Sequence, residues 1–161
     1  MDESNGVRTP IALGKAMATQ KKINKDIQYQ EAIGSLLYVA IWMRPNISYA
    51  TTYLSQFNTK FTKTHWQLVK RVLRCLKGTI DLKLTFKPNG EGLIGFADAD
   101  WGGAEDGKSF SGFNFKIGNG SVSWEARNQR CVTLSSTKSE YVGVSAQSLQ
   151  RTPGDQSHLL A

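Results

Sequence analysis

The spacing of apolar residues changes once along this chain, at Gly78, and that change limits the fold more than any single motif does. Before it, Tyr29, Ile33, Leu36, Leu37, Ala40 and Ile41 recur at three- and four-residue intervals, the repeat that lines one face of an α-helix. After it, Leu82, Leu84 and Phe86 alternate with Lys83, Thr85 and Lys87, the two-residue repeat of a strand with one face buried. Helices first and strands second predict an α+β chain in two pieces, with the boundary near residues 78 to 80.

Within the first piece, Arg44-Pro45 stops the opening helix, because the residue before proline is pushed out of the helical region. Asn46 is placed to cap a second helix with Ile47, Ala50, Tyr53, Leu54 and Phe57 on its apolar side. Thr64 and Gln67 fit a capping box for a third, in which Trp66, Val69, Val72, Leu73 and Leu76 form the buried stripe and Gly78 the C-terminal cap. Residues 1–25 carry Thr9-Pro10 and the cluster Lys21-Lys22-Ile23-Asn24-Lys25 without apolar periodicity, and are expected to form a flexible arm or linker.

In the second piece Pro88-Asn89-Gly90 signals a turn, Leu93 to Asp98 a second strand and Gly112 to Ile117 a third. Gly118-Asn119-Gly120 predicts a hairpin into Ser121 to Arg127. Cys131 to Leu134 extends or follows that strand, and a helix begins around Ser136.

The bulk properties narrow the classes of partner. The 161 residues carry 20 Lys and Arg against 13 Asp and Glu, a net charge of +7, which favours polyanions electrostatically. Cys75 and Cys131 stand apart with no CxxC and no nearby histidine pair, so neither a disulfide framework nor a zinc site is expected, and a reducing compartment is. Residues 1–20 lack an apolar signal core, and no run reaches the roughly 18 to 20 apolar residues needed to cross a bilayer. An intracellular protein, cytoplasmic or nuclear and not secreted, is the expectation.

Two groups of residues can carry chemistry. Asp98 ends an apolar strand and Asp100 follows two residues on; carboxylates this close repel unless a cation or proton lies between them, and Mg²⁺ takes oxygen ligands from one or two carboxylates plus substrate phosphate. The same pair could instead satisfy backbone donors in a turn at Trp101-Gly102-Gly103. Glu140 is open to two readings as well, as a metal ligand or as the reciprocal partner of Thr137 in a capping box. The second group is basic. Lys60, Lys63, Lys70, Arg71, Arg74 and Lys77 fall in a stretch without an acid. Lys70, Arg74 and Lys77 share a helical face away from the apolar stripe, where they could contact phosphates or simply be solvated. His65 and His158 are isolated, and no phosphate loop or nucleophile elbow is present.

Several motifs in order then carry a resemblance. The run Tyr29-Gln30-Glu31-Ala32-Ile33-Gly34-Ser35-Leu36-Leu37-Tyr38, then Arg44-Pro45-Asn46-Ile47, His65-Trp66, Lys70-Arg71 and Leu76-Lys77-Gly78-Thr79, closely resembles the end of the reverse transcriptase region in copia-type retrotransposon Pol polyproteins. Asp98-Ala99-Asp100-Trp101, Lys108-Ser109, Ser111-Gly112-Phe113, Val122-Ser123-Trp124, Leu134-Ser135-Ser136-Thr137 and Glu140-Tyr141 resemble the first part of that family's ribonuclease H domain. The match covers roughly residues 26 to 148.

The resemblance implies hydrolysis of the RNA strand of RNA/DNA hybrids by two Mg²⁺ or Mn²⁺ ions about 4 Å apart, with Asp98 and Glu140 as catalytic metal ligands and the role of Asp100 open. It implies an incomplete ribonuclease H-like fold of antiparallel strands then a helix, following N-terminal helices. The implied organisation is an arm at 1–25, a helical reverse transcriptase connection at 26–79, a partial ribonuclease H-like domain at 80–150 and an atypical tail at 151–161. Two of the four carboxylates expected of such a site, one in an Asp-Asn motif, have no counterpart in these residues. Asp155 lacks the motif context to substitute, Lys138 stands where the family often has an acid, and the polymerase's paired aspartates lie upstream of the matched region. The expectation is a Pol fragment without nuclease activity of its own. Its partners would be RNA/DNA hybrid or other nucleic acid, held by Lys70, Arg71, Arg74 and Lys77, together with the remainder of the polyprotein, and no membrane.

Overall fold

A computed structural model describes residues 6–11, 28–88, 90–100, 108–129 and 135–148. The chain divides into two compact units, Met1–Phe86 and Lys87–Ala161. The described elements are four helices and one three-stranded antiparallel sheet, an α+β arrangement.

In the first unit, α1 spans Tyr29–Trp42, α2 Pro45–Ser55 and α3 Lys63–Gly78. Their apolar stripes meet in one core of Tyr29, Ile33, Leu36, Ala40, Ile47, Ala50, Leu54, Val69 and Val72, all nearly or wholly inaccessible. Burying a large aliphatic side chain in this way contributes about 1.5–3 kcal/mol. Tyr29 anchors α1 twice, stacking on Phe61 before α3 with ring centroids 4.5 Å apart and donating its hydroxyl to the Leu54 carbonyl of α2 at 2.9 Å. Pro45, not Asn46, opens α2: it occupies the first turn, where its missing N–H costs nothing, and Arg44 takes the cap position. The Arg44 guanidinium then donates to Thr79 Oγ1 at 3.3 Å and to the Thr79 carbonyl at 2.6 Å, tying the α1–α2 corner to the end of α3.

Both ends of α3 differ from expectation. The N-cap is Thr62, not Thr64, and its reciprocal partner is His65: the His65 N–H donates to Thr62 Oγ1 and the Thr62 N–H donates to His65 Nδ1 at 3.0 Å. Imidazole nitrogen does here what a Glu or Gln oxygen does in the usual capping box, which makes buried His65 a structural residue stacked on Phe57 at 3.9 Å. At the other end Gly78 is the last helical residue and Thr79 the cap, with no left-handed glycine. Residues 6–11, part of the segment expected as an arm, lie against α3: the Val7 N–H donates to the Arg74 carbonyl and Ile11 packs on the core.

In the second unit, β1 (Ile94–Asp100), β2 (Phe110–Ile117) and β3 (Gly120–Asn128) pair in sequence order, and α4 (Ser136–Ser148) packs against β1 and β2. Gly118 and Asn119 both take positive φ, +52° and +67°, between the paired residues Ile117 and Gly120, so the turn has the primed geometry that matches strand twist. The strand expected at Leu82–Lys87 is absent. Leu82, Leu84 and Phe86 are exposed and make no ladder; alternation alone cannot hold a strand without a partner to take its backbone bonds. Lys87 does donate its N–H to the Gly118 carbonyl at 2.7 Å. The expected turn at Trp101-Gly102-Gly103, the extension at Cys131–Leu134, the Lys21–Lys25 cluster, His158 and the 151–161 tail lie outside the described residues.

Candidate functional site

The acidic candidates sit on β1 and α4. On β1, Asp98 pairs opposite Gly112 and Asp100 opposite Phe110, while the intervening Ala99 pairs opposite Ser111. Asp98 and Asp100 are exposed. Lys116 Nζ lies 5.2 Å from the centre of the Phe96 ring, and alternation along β1 places Asp98 and Asp100 on that same face.

The helix approaches from the other face. A Cβ added to Gly143 would lie 3.4 Å from Ala99 Cβ and 3.5 Å from Ser111 Cβ, so α4 rests on the side of the sheet to which these two small residues project. Glu140 is exposed beside the buried pair Ser139 and Gly143, about 100° around the helix from Ser139. β1 is an edge of the described sheet. The two carboxylates are thus carried on different sides of the sheet, Asp98 on the face turned away from α4 and Glu140 on the helix that covers the other.

Glu140 is not engaged in capping. Ser135 Oγ accepts from the Lys138 N–H at 3.3 Å, so the cap lies two residues before Thr137 and the reciprocal position falls on Lys138. Sequence reading missed the group that seats α4. Gln129 is buried at the end of β3; its N–H donates to the Ser109 carbonyl and its Nε2 to the Ser139 carbonyl, both at 2.8 Å. Ser109 and Ser139 are fully buried. Nothing in the spacing of a Gln following a strand signals such a role.

Among the described residues no three His, Cys, Asp or Glu side chains converge as a metal cluster. The oxygen donors of Asp98 and Asp100 suit Mg²⁺ or Mn²⁺ in kind. Their number suits one ion completed by water or phosphate and falls short of a protein-made two-ion site.

The basic candidates all lie on α3, but in two environments. Lys63, Lys70 and Lys77 are exposed. Arg71 is half-buried, and its Nε–H and Nη2–H donate to the Thr9 carbonyl at 3.2 Å and to Thr9 Oγ1 at 2.8 Å. Arg74 is half-buried with its Nε enclosed and unpartnered. Cys75, between the arginines and the core, is a free and fully buried thiol whose Sγ–H faces the Arg8 carbonyl at 3.5 Å. Burial pushes its pKa up, against the opposing pull of Arg44 and Arg71.

Comparison with known proteins adds relatives of two kinds. The chain is 43% identical over 123 residues to secreted RxLR effector protein 161 of Plasmopara viticola, covering 75% of this chain and 87% of that protein. It is 37% identical over 151 residues to the retrovirus-related Pol polyprotein from transposon TNT 1-94 of Nicotiana tabacum, covering 88% of this chain and 11% of that polyprotein. The corresponding polyprotein from transposon RE2 of Arabidopsis thaliana is 37% identical over 142 residues, 86% of this chain and 10% of its own length. The chain thus spans about a tenth of the Pol polyproteins it matches. No model of a known protein family matches it, and no solved structure does. No helix among the described residues is long and apolar enough to cross a membrane.

Proposed function

The chain belongs to the family of transposon Pol polyproteins and their shorter relatives, and from that premise we propose that it is a copia-type Pol segment serving RNA-strand hydrolysis in RNA/DNA hybrids. In this reading residues 80–150 form part of a ribonuclease H-like unit, preceded by the connection from the reverse transcriptase. Asp98 and Glu140 are the carboxylates it supplies, and Mg²⁺ or Mn²⁺ the ion they would hold to bring water and phosphate together. The observation that carries the proposal is the packing of α4 on β1, with Ser135 rather than Glu140 closing the helix start. The strand order β1-β2-β3 followed by a helix is consistent with it.

In this reading the chain by itself does not cleave, because the carboxylates among the described residues offer too few ligand positions for two ions and a substrate. An assay of RNA/DNA hybrid cleavage in Mg²⁺ tests this. No cleavage is expected from the chain alone; cleavage that vanishes in Asp98→Asn would overturn the claim of inactivity and strengthen the assignment of the site. A reducing intracellular compartment suits the free thiol of Cys75.

A second reading has its own observation: Lys63, Lys70 and Lys77 are exposed on one helix with Arg71 and Arg74 beside them. As a non-catalytic module, α3 would hold nucleic acid through phosphate contacts. Affinity for a hybrid should fall steeply with salt, and removing one contact, as in Lys70→Ala, should lower the slope by about one. Binding indifferent to salt would exclude this use of α3.

A further inference from the structure

Gly78 is an unfavourable choice within a helix unless something requires it, since glycine is a weaker helix former than alanine. Its φ is not positive, so capping does not explain it. The neighbour does. A Cβ on Gly78 would lie 3.0 Å from Gly6 Cα and 3.1 Å from the Val7 nitrogen, and a Cβ on Gly6 would lie 2.7 Å from Gly78 Cα. Backbone meets backbone here, and only a glycine pair permits it.

From that crossing, residues 6–11 run along α3 as a strap. Three polar holds are present and they are unequal. The Val7 N–H reaches the Arg74 carbonyl at 3.4 Å and the Cys75 thiol reaches the Arg8 carbonyl at 3.5 Å; the first is long and the second uses a weak donor. The third is the two-pronged grip of Arg71 on Thr9, charge-assisted and as short as 2.8 Å. Arg71 is therefore the latch, and Cys75 is what the closed strap covers.

We propose that this strap is released by phosphate: the Nε–Nη2 edge of Arg71 that grips Thr9 is given up to a phosphate group of nucleic acid lying along α3, and Gly6–Ile11 lifts from the helix. That edge is one of the faces on which a guanidinium binds a phosphate bidentately, and a phosphate sets a full negative charge against it where the Thr9 oxygens are neutral. Arg74, one helical turn on, holds its Nε without an acceptor, and Lys70 and Lys77 are exposed on the same helix. The inference rests on the reading of α3 as a nucleic-acid surface and adds to it a change of state in the protein.

Cys75 reports the change. The chain has two cysteines, so in a Cys131→Ser background an uncharged maleimide reads Cys75 alone, while anisotropy of a fluorescent RNA/DNA hybrid reads binding on the same sample. Labelling should be slow in the free protein and accelerate about tenfold or more when the hybrid binds, the factor expected for losing a hydrogen bond to a charged group. Gly6→Ala, which disturbs the strap and not the helix, and Arg71→Gln should label fast without nucleic acid, with helical circular dichroism unchanged. Binding with unaltered or slower labelling overturns the release and leaves the surface standing. Absence of binding overturns both. Slow labelling in Gly6→Ala would show that the strap does not cover the thiol.

Discussion

The two units differ in how each uses side-chain volume in its own interior. In the helical unit nine residues from α1, α2 and α3 fill one core to near-complete burial. In the sheet unit, among the described residues, Phe110 and Phe115 are the buried large apolar side chains, whereas Ile94, Phe96, Val122, Tyr141 and Val144 face solvent. There α4 is seated by smallness, Gly143 against Ala99 and Ser111, and by the polar seam of Ser109, Gln129 and Ser139. The first unit is sensitive to volume removed, the second to volume added.

Leu54→Ala should have the largest effect, because it empties a fully buried site in α2; a loss of about 2–5 kcal/mol is expected. Hydrogen exchange would show α1–α3 losing protection, and equal loss in β2 and β3 would break the contrast by revealing one cooperative core. Gly143→Leu applies the complementary insult. Overpacking against Ala99 and Ser111 should cost about 1–3 kcal/mol, read as a lower denaturant midpoint for the sheet unit.

Tyr29→Phe is smaller and depends on pH. Losing the bond to the Leu54 carbonyl should cost about 1 kcal/mol near neutrality. Burial, with a lesser contribution from Tyr53, holds the Tyr29 phenol above its ordinary range. The folded state thus keeps this proton where the unfolded chain, with a pKa of about 10, has lost it, and the stability involved is intact below that value and declines as pH rises beyond it. Denaturation midpoints above about pH 10 should fall less steeply in Tyr29→Phe than in the parent chain. The smallest change sharpens the contrast most. Gly143→Ala places its methyl at ordinary contact distance and should stabilise α4 by up to about 1 kcal/mol through helix propensity, so destabilisation there would mean that even one carbon is too many.

The sequence made the helices legible because their apolar residues repeat over several turns, and the stripe Val69, Val72 and Leu76 faces inward as the spacing predicts. It made the hairpin legible because Gly118-Asn119-Gly120 permits few other conformations. Ends were harder. A histidine standing in for Glu moved the start of α3 to Thr62, and Ser135 took the cap of α4 from Thr137, since several hydroxyls compete within a few residues and only the fold decides among them. The alternation at Leu82–Phe86 misled because strands exist by pairing. At the candidate site, the sequence singled out Asp98 and Glu140 but could not show that α4 covers the face opposite Asp98, which depends on the register of Ala99 with Ser111. The strap on α3 was invisible for a related reason: its contacts are backbone and glycine contacts across residues 6 and 78, and those leave no pattern in either segment.

The turn at Gly118 and Asn119 also bears on the order in which the chain assembles. A hairpin with a two-residue loop closes with little entropy to overcome, on a timescale of about 1–10 μs, whereas β1 must find β2 across the interval from Asp100 to Phe110. Gly118 is fixed twice over, by its positive φ and because any Cβ there would strike the Lys87 carbonyl at 2.5 Å. The β2–β3 ladder is thus expected to form first in its unit, with the chain at Lys87 joining it afterwards through the bond to Gly118. A substitution at Gly118 should slow refolding, while one in α4 should chiefly hasten unfolding.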